Sequence, residues 1–103
     1  MAKTHALKTW PYYFDASWRG LKPWEVRRND RGFAAGDFLV LEEYDDHKKE
    51  YLGRQIGATI VEVFENLPGV ADGYVLLTVK ALVRVRQGSI VPEHEAVKEG
   101  PRG

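Results

Sequence analysis

The chain has 103 residues, 44% of them hydrophobic and 12% aromatic, enough for one domain with its own core and too apolar for a disordered polymer. Fifteen Lys and Arg balance fifteen Asp and Glu, so any attraction to nucleic acid or anionic lipid must come from a local patch and not from bulk charge. The absence of cysteine excludes a disulfide scaffold, thiolate metal sites and a cysteine nucleophile, and fits a reducing compartment.

Residues 1–4 read as a short disordered start without the apolar core of a signal peptide. No apolar run approaches the ~20 residues of a membrane span, so a soluble cytoplasmic protein with no membrane partner is expected. His5 to Trp10 has the length of a short strand. Pro11 suits the first turn of a helix, where its missing N–H has no intrahelical partner. Tyr12 to Arg19 is then a two-turn helix that puts Phe14 and Trp18, four apart, on one core-facing side. Gly20 is placed to stop it.

Lys22-Pro23 cannot continue a helix, because proline disfavours helical backbone in the residue before it. Trp24 to Arg27 alternates as a strand, with Trp24 and Val26 on one face and Glu25 and Arg27 on the other. Asn29-Asp30-Arg31-Gly32 has the residues of a turn, and Ala34 to Asp37 suggests another. Phe38 to Tyr44 is a strand whose run of four apolar residues predicts burial on both faces. The charged segment 45–50 reads as a solvated loop.

Gln55 to Phe64 is a further strand. A change of hydrophobic phase near Ile60-Val61 predicts a bulge or bend. Residues 65–73 form a loop. Tyr74 to Val85 has the strongest period of two, with Val75, Leu77, Val79, Ala81, Val83 and Val85 on the core side and a bend expected near Lys80. The domain is thus expected to span 1–87, with 88–103 a flexible tail. The pattern gives four or five strands and one short helix, a small curved sheet or barrel with the helix over one opening.

The stretch from Gly20 to Asp37 is the densest in chemistry. Lys22, Glu25 and Arg27 read K-x-x-E-x-R, a carboxylate between two cations that can grip a polar planar ligand. Trp10, Trp24 and the tyrosines supply faces on which a base can stack. Arg28 and Arg31, with Arg19 just before the stretch, have the charge to rim a phosphate site. The same charges also describe a solvated edge strand with weak ion pairs, and Asn29 and Asp30 fit turn-forming better than ligation. No serine-nucleophile, P-loop, dinucleotide or zinc-protease motif is present. His5, His47 and His94 share no metal-ligand spacing, so neither metal nor cofactor is expected.

The string G-L-K-P-W-E-V-R at 20–27 resembles the G-x-K-x-x-E-x-R signature of ASCH domains, a branch of the PUA-like superfamily. H-A-L-K-T-W-P-Y-Y-F at 5–14, E-V-R-R-N-D-R-G-F at 25–33 and G-D-F-L-V-L-E-E-Y at 36–44 look like a small ASCH-related family of bacteria and phages. The resemblance covers residues 5 to 85. It implies an α+β fold, a small PUA-like β-barrel of five to six mostly antiparallel strands with one or two short helices. It also implies a cleft lined by Lys22, Glu25 and Arg27.

Relatives of this kind are linked to RNA binding, to reading modified bases and, in some members, to catalysis. A nucleic acid or nucleoside is therefore the expected partner, with a protein partner as a blander alternative. One bacterial subgroup looks like an amidohydrolase acting on acetylated cytidine, with an essential signature lysine. There a threonine stands where this chain has Glu25, and a separate glutamate acts as base. Lys22 carries over to that pattern. Glu62 and Glu65 have no matched position for the second glutamate, and Glu25 departs from the pattern. Two functions follow as expectations: a module holding one, possibly modified, nucleobase, or a small nucleoside or RNA hydrolase using Lys22 and Glu25.

Overall fold

The computed structural model describes residues 1–98. Strand β1 (Thr4–Thr9) leads into helix α1 (Pro11–Trp18), followed by β2 (Trp24–Arg28), β3 (Phe38–Asp45), β4 (Glu50–Phe64), β5 (Tyr74–Arg86), β6 (Ser89–Val91) and a single-turn helix α2 (Glu93–Ala96). The strands form one sheet in the order β1-β3-β4-β5-β2, with β6 also on β5. Only the β1–β3 pair is parallel; the others are antiparallel. The sheet curls, and its two edge strands approach each other: Arg27 of β2 donates from Nη1 to the Lys8 carbonyl of β1 at 3.1 Å. The result is an α+β half-barrel. Its core is Leu7, Phe14, Trp18, Leu39, Leu41, Ile56, Ala58, Ile60, Val75 and Leu77, all buried.

Helix α1 begins at Pro11 as its residue type demands and ends in a Schellman motif. Gly20, at φ +79°, donates to Ser17 O at 3.1 Å, and Leu21 donates to Ala16 O at 2.9 Å. Phe14 and Trp18 are both fully buried, closing one end of the half-barrel. The stop at Gly20 releases the chain toward β2, and Ser17 Oγ donates to Lys22 O at 3.4 Å. The position of Lys22 is thus tied to the end of α1.

The bulge expected near Ile60-Val61 is present: Ile60 faces Val79 and Glu62 faces Thr78, leaving Val61 as the extra residue on β4. A second register shift corrects the phase assigned to β5. Gly57 faces Val83 and Ala58 faces Ala81, so Leu82 is the extra residue on β5. One added residue reverses the alternation beyond it. Val75 and Leu77 face the core as expected, but past Leu82 the residue turned inward is Arg84, 5% exposed, between half-buried Val83 and Val85. Gly57 permits this geometry, since a Cβ there would lie 2.8 Å from Val83 Cγ1.

Two further expectations change. Strand β3 buries one face, Leu39, Leu41 and Glu43, while Phe38 is exposed and Val40, Glu42 and Tyr44 are half-buried. An apolar run at the outer face of a curled sheet need not have a second layer over it. The tail expected from residue 88 is structured through 98. Gln87 and Gly88, at φ +49° and +80°, make a two-residue hairpin that pairs Arg86 with Ser89. Ala96 of α2 is fully buried, joining Val91 in the core. The rest of that tail, 99–103, lies outside the described residues. No helix among the described residues is long and apolar enough to cross a membrane.

Candidate functional site

The open seam of the half-barrel, between the edge strands β1 and β2, is where the signature residues gather. Strand β2 pairs with β5 in a register that sets Glu25 opposite Leu77, a core residue. Alternation then turns Glu25 inward, 2% exposed, and leaves Trp24 and Val26 outward at 41% each. The strand is inverted relative to ordinary amphipathic patterning, with its charged side in and its apolar side out.

A buried carboxylate is tolerated only when its oxygens are matched by donors. Oε2 of Glu25 accepts from Lys22 Nζ at 2.5 Å. Oε1 accepts from Arg27 Nε at 3.0 Å and Nη2 at 2.8 Å. Lys22 also donates to Trp24 O at 2.8 Å and lies 4.7 Å from the Trp24 ring centroid. Arg27 spans the seam, donating from Nη1 to Lys8 O and from Nη2 to Thr9 Oγ1 at 3.0 Å. Arg31 repeats this one step along, from Nη1 to Ala6 O at 2.9 Å. Ala6 and Lys8 are the alternate β1 residues whose carbonyls point away from β3. Two guanidinium groups therefore do along this edge what a neighbouring strand's N–H groups would do.

Above the trio opens a cleft of about 590 Å³, within the usual size range of small-ligand sites. One wall is Lys8, Thr9, Trp10 and Tyr13; the other is Trp24 to Arg28 with Tyr74, and Lys22 also borders the cleft. The expected residues Lys22, Trp24, Glu25, Arg27, Arg28 and Trp10 all border this cleft. Arg31 lies outside it, in the seam. Arg19 is at the C-cap of α1, also outside, with its Nε buried and without a hydrogen-bond partner among the described residues. Asn29 and Asp30 are in the following turn, where Asn29 Nδ2 donates to Glu65 Oε1 at 3.3 Å and Asp30 makes a loose contact with Arg31 at 3.8 Å. Glu62 and Glu65 do not border the cleft.

Sequence reasoning missed Lys8 and Thr9 as cleft residues, and it offered the tyrosines as stacking faces without singling out Tyr13 and Tyr74. They come from β1, α1 and β5, and only the closure of the sheet brings them to β2. Two buried polar clusters were also missed. Arg54 donates to Glu43 Oε1 at 2.9 Å and Oε2 at 3.0 Å and to Asp15 Oδ1 at 3.2 Å, and its Cζ lies 5.0 and 4.8 Å from the Phe14 and Trp18 rings. Burial by itself would lower the Arg54 pKa, but the hydrogen bonds and charge of Glu43, then of Asp15, outweigh it and the net shift is upward. At the far end of β1, His5 Nε2 donates to Asp37 Oδ2 at 2.9 Å, and the backbone N–H groups of Lys3 and Ala34 donate to the same carboxylate. The His5 hydrogen bond first, then these N–H groups, hold the Asp37 pKa below its ordinary value. No group of three or more acidic or histidine residues among the described residues is arranged to hold a metal ion.

Comparison with known proteins places this geometry in a family. The chain is 38% identical over 77 residues to the "Uncharacterized 12.9 kDa protein in GpA 3'region" of Escherichia phage P2, an alignment covering 75% of this chain and 68% of the phage protein. Residues 4–79, from the start of β1 into the first half of β5 and so across both edge strands of the seam, match the model of the domain of unknown function DUF3850. The chain belongs to the DUF3850 family.

Proposed function

We propose that this protein is a nucleic-acid-binding module of the PUA-like, ASCH-related kind, and that the seam cleft holds a single nucleobase, possibly a modified one. The observation that carries the reading is the pairing of aromatic walls with immobilised donors. Trp10 and Tyr13 stand on one side and Trp24 and Tyr74 on the other, over Lys22 and Arg27, which Glu25 holds in place. Flat rings on opposite walls suit a planar ligand, and donors fixed before binding lose little freedom when it arrives. The ASCH-like signature falls on these same residues. Glu25 is too deeply covered to serve mainly as a ligand acceptor; its role in this reading is to orient the two cations.

The hydrolase alternative draws less support from the geometry. Among the described residues Glu25 is the one carboxylate bordering the cleft, and both its oxygens are occupied. Lys22 is donating to two acceptors and is poorly placed to take up a proton.

Titration of labelled RNA and DNA oligonucleotides, plain and base-modified, tests the reading. Trp24→Ala should weaken binding by about 1–3 kcal/mol, the size of one base–aromatic stack, with little change in stability, since Trp24 is exposed. If Trp24→Ala and Lys22→Ala both bind as tightly as the parent, the cleft is not the site. Turnover of acylated cytidines, abolished by Lys22→Ala, would instead favour the hydrolase.

A further inference from the structure

We infer that the cleft is built for a nucleotide inside a strand, with one phosphate on each side of the base, and that Lys8 and Arg28 take those two phosphates. This rests on the base-binding reading above and specifies its ligand.

The cations near the cleft fall into two groups, matched and unmatched. Lys22 and Arg27 are engaged with Glu25 and with main-chain and side-chain oxygens. Arg31 is engaged at Ala6 O and Arg19 is elsewhere. Lys8 and Arg28 differ. Lys8 Nζ lies 4.5 Å from the Tyr44 ring centroid and 5.9 Å from that of Tyr51. Arg28 Cζ lies 5.4 Å from the Tyr74 ring. An aromatic face fixes a cation without neutralising it. Neither cation pairs with a carboxylate among the described residues, and Lys8 turns to Tyr44 although Glu42 is its partner in the β1–β3 register.

Their placement supplies the rest. Lys8 belongs to β1 and Arg28 to β2, so each wall of the same cleft contributes one residue with an unmatched cation; Arg28 rests on Tyr74 inside the cleft, whereas the Lys8 ammonium rests on Tyr44 and Tyr51, outside its lining, and a ligand phosphate would draw that flexible side chain across. In a chain with as many acids as bases, this calls for anions on both sides of whatever lies between the walls. A nucleoside has none, a nucleoside monophosphate has one, and a nucleotide within a strand has two. A nucleoside 3′,5′-bisphosphate is the smallest molecule that reproduces the last.

The test is calorimetric titration of the full chain with the four common nucleosides, their 5′-monophosphates and their 3′,5′-bisphosphates. Affinity should rise in that order, roughly three- to fivefold per phosphate, the size of an exposed charge pair. Lys8→Gln and Arg28→Gln are exposed replacements, and unchanged thermal unfolding will show that they fold. Each should remove one step, and the double variant should bind the bisphosphate no better than the nucleoside. Equal parent affinity for nucleoside and bisphosphate, or a bisphosphate affinity untouched by either variant, overturns this inference and leaves base binding standing. No binding of nucleosides, nucleotides or oligonucleotides by the parent overturns the base-binding reading and this inference with it.

Discussion

The protein contains two clusters built from the same parts, carboxylates clamped by cations beside aromatic rings, and they differ in what surrounds them. At the α1 end Arg54 is matched by Glu43 and Asp15 and lies against Phe14 and Trp18; its side chain is wholly inaccessible. In the seam the count is reversed, with one carboxylate, Glu25, shared by Lys22 and Arg27. There the acid is covered and the cations are partly open, 11% for Lys22 and 23% for Arg27. The first arrangement points every charge at another charge and leaves nothing for a ligand. The second hides the acid and shows the cations. Ion pairing alone therefore does not mark a site; the direction in which the unmatched charge faces does.

That contrast predicts opposite phenotypes. Arg54→Met should be the most damaging change considered, because it leaves Glu43 and Asp15 buried without their counter-ion. Breaking one partner of such a pair costs about 3–5 kcal/mol, a large share of the ~5–15 kcal/mol that holds a small domain together. Urea unfolding monitored by tryptophan fluorescence would read it, since Trp18 is the buried one of the three tryptophans. If Arg54→Met unfolds at nearly the parental midpoint, the α1 cluster does not hold the fold together. Under the proposed base-binding function, the fraction that remains folded should bind oligonucleotides as the parent does.

Arg27→Lys probes the other cluster and should have an intermediate effect. A lysine keeps the charge, yet its single amine cannot span Glu25, Lys8 O and Thr9 Oγ1 at once. Loss of two or three charge-assisted hydrogen bonds in a partly exposed setting should cost roughly 1–3 kcal/mol of stability. The loss should be local, appearing as faster amide exchange in β1 and β2 before the rest of the sheet. Uniform acceleration across β3, β4 and β5 would show that the seam is not a separate unit. Arg31→Lys, farther out and 45% exposed, should show the same signature more weakly.

How much of this could be read in the sequence follows from the range of the interactions. Helix α1 was legible because Pro11, the Phe14–Trp18 spacing and Gly20 act within ten residues of each other. The K-x-x-E-x-R string likewise located the trio, whose members lie within six residues. The missed features depend on closure. Period-two reasoning assigned Val83 and Val85 to the core and overlooked Arg84, because the single extra residue at Leu82 is visible only when β5 is laid against β4. Lys8 carried no signal of its own within the His5–Trp10 strand. It became a cleft residue only once β1, first in the chain, reached across the seam toward β2. Arg54, Glu43 and Asp15 come from three elements, and nothing in their local sequence announces that they meet. The tail beyond Gly88 was misjudged because a three-residue strand and a one-turn helix are too short to show a period, although the Gln87-Gly88 pair is a legible turn.

A fourth carboxylate tests whether the contrast extends to the opposite end of β1. Asp37 is buried and receives donors from His5, Lys3 N and Ala34 N, so it belongs with the Arg54 cluster as a structural anchor and should show no effect on binding. Its pKa is held below the ordinary carboxylate range, first by the His5 hydrogen bond. The folded protein therefore gives up the Asp37 proton more readily than the unfolded chain. The stability this contributes is fully present above the unfolded-state pKa and declines as pH falls through the acid range toward the folded-state value. Asp37→Asn should accordingly flatten the acid limb of the stability–pH curve while lowering the plateau at neutral pH, the smallest of the effects proposed. Thermal unfolding of parent and variant from pH 3 to 7 would show it as two curves that converge on acidification. Parallel curves would mean that the carboxylate gains nothing from its charge, and the anchor at this end of β1 would then have to be the packing of His5 against Phe33, whose rings meet edge-on at 4.8 Å.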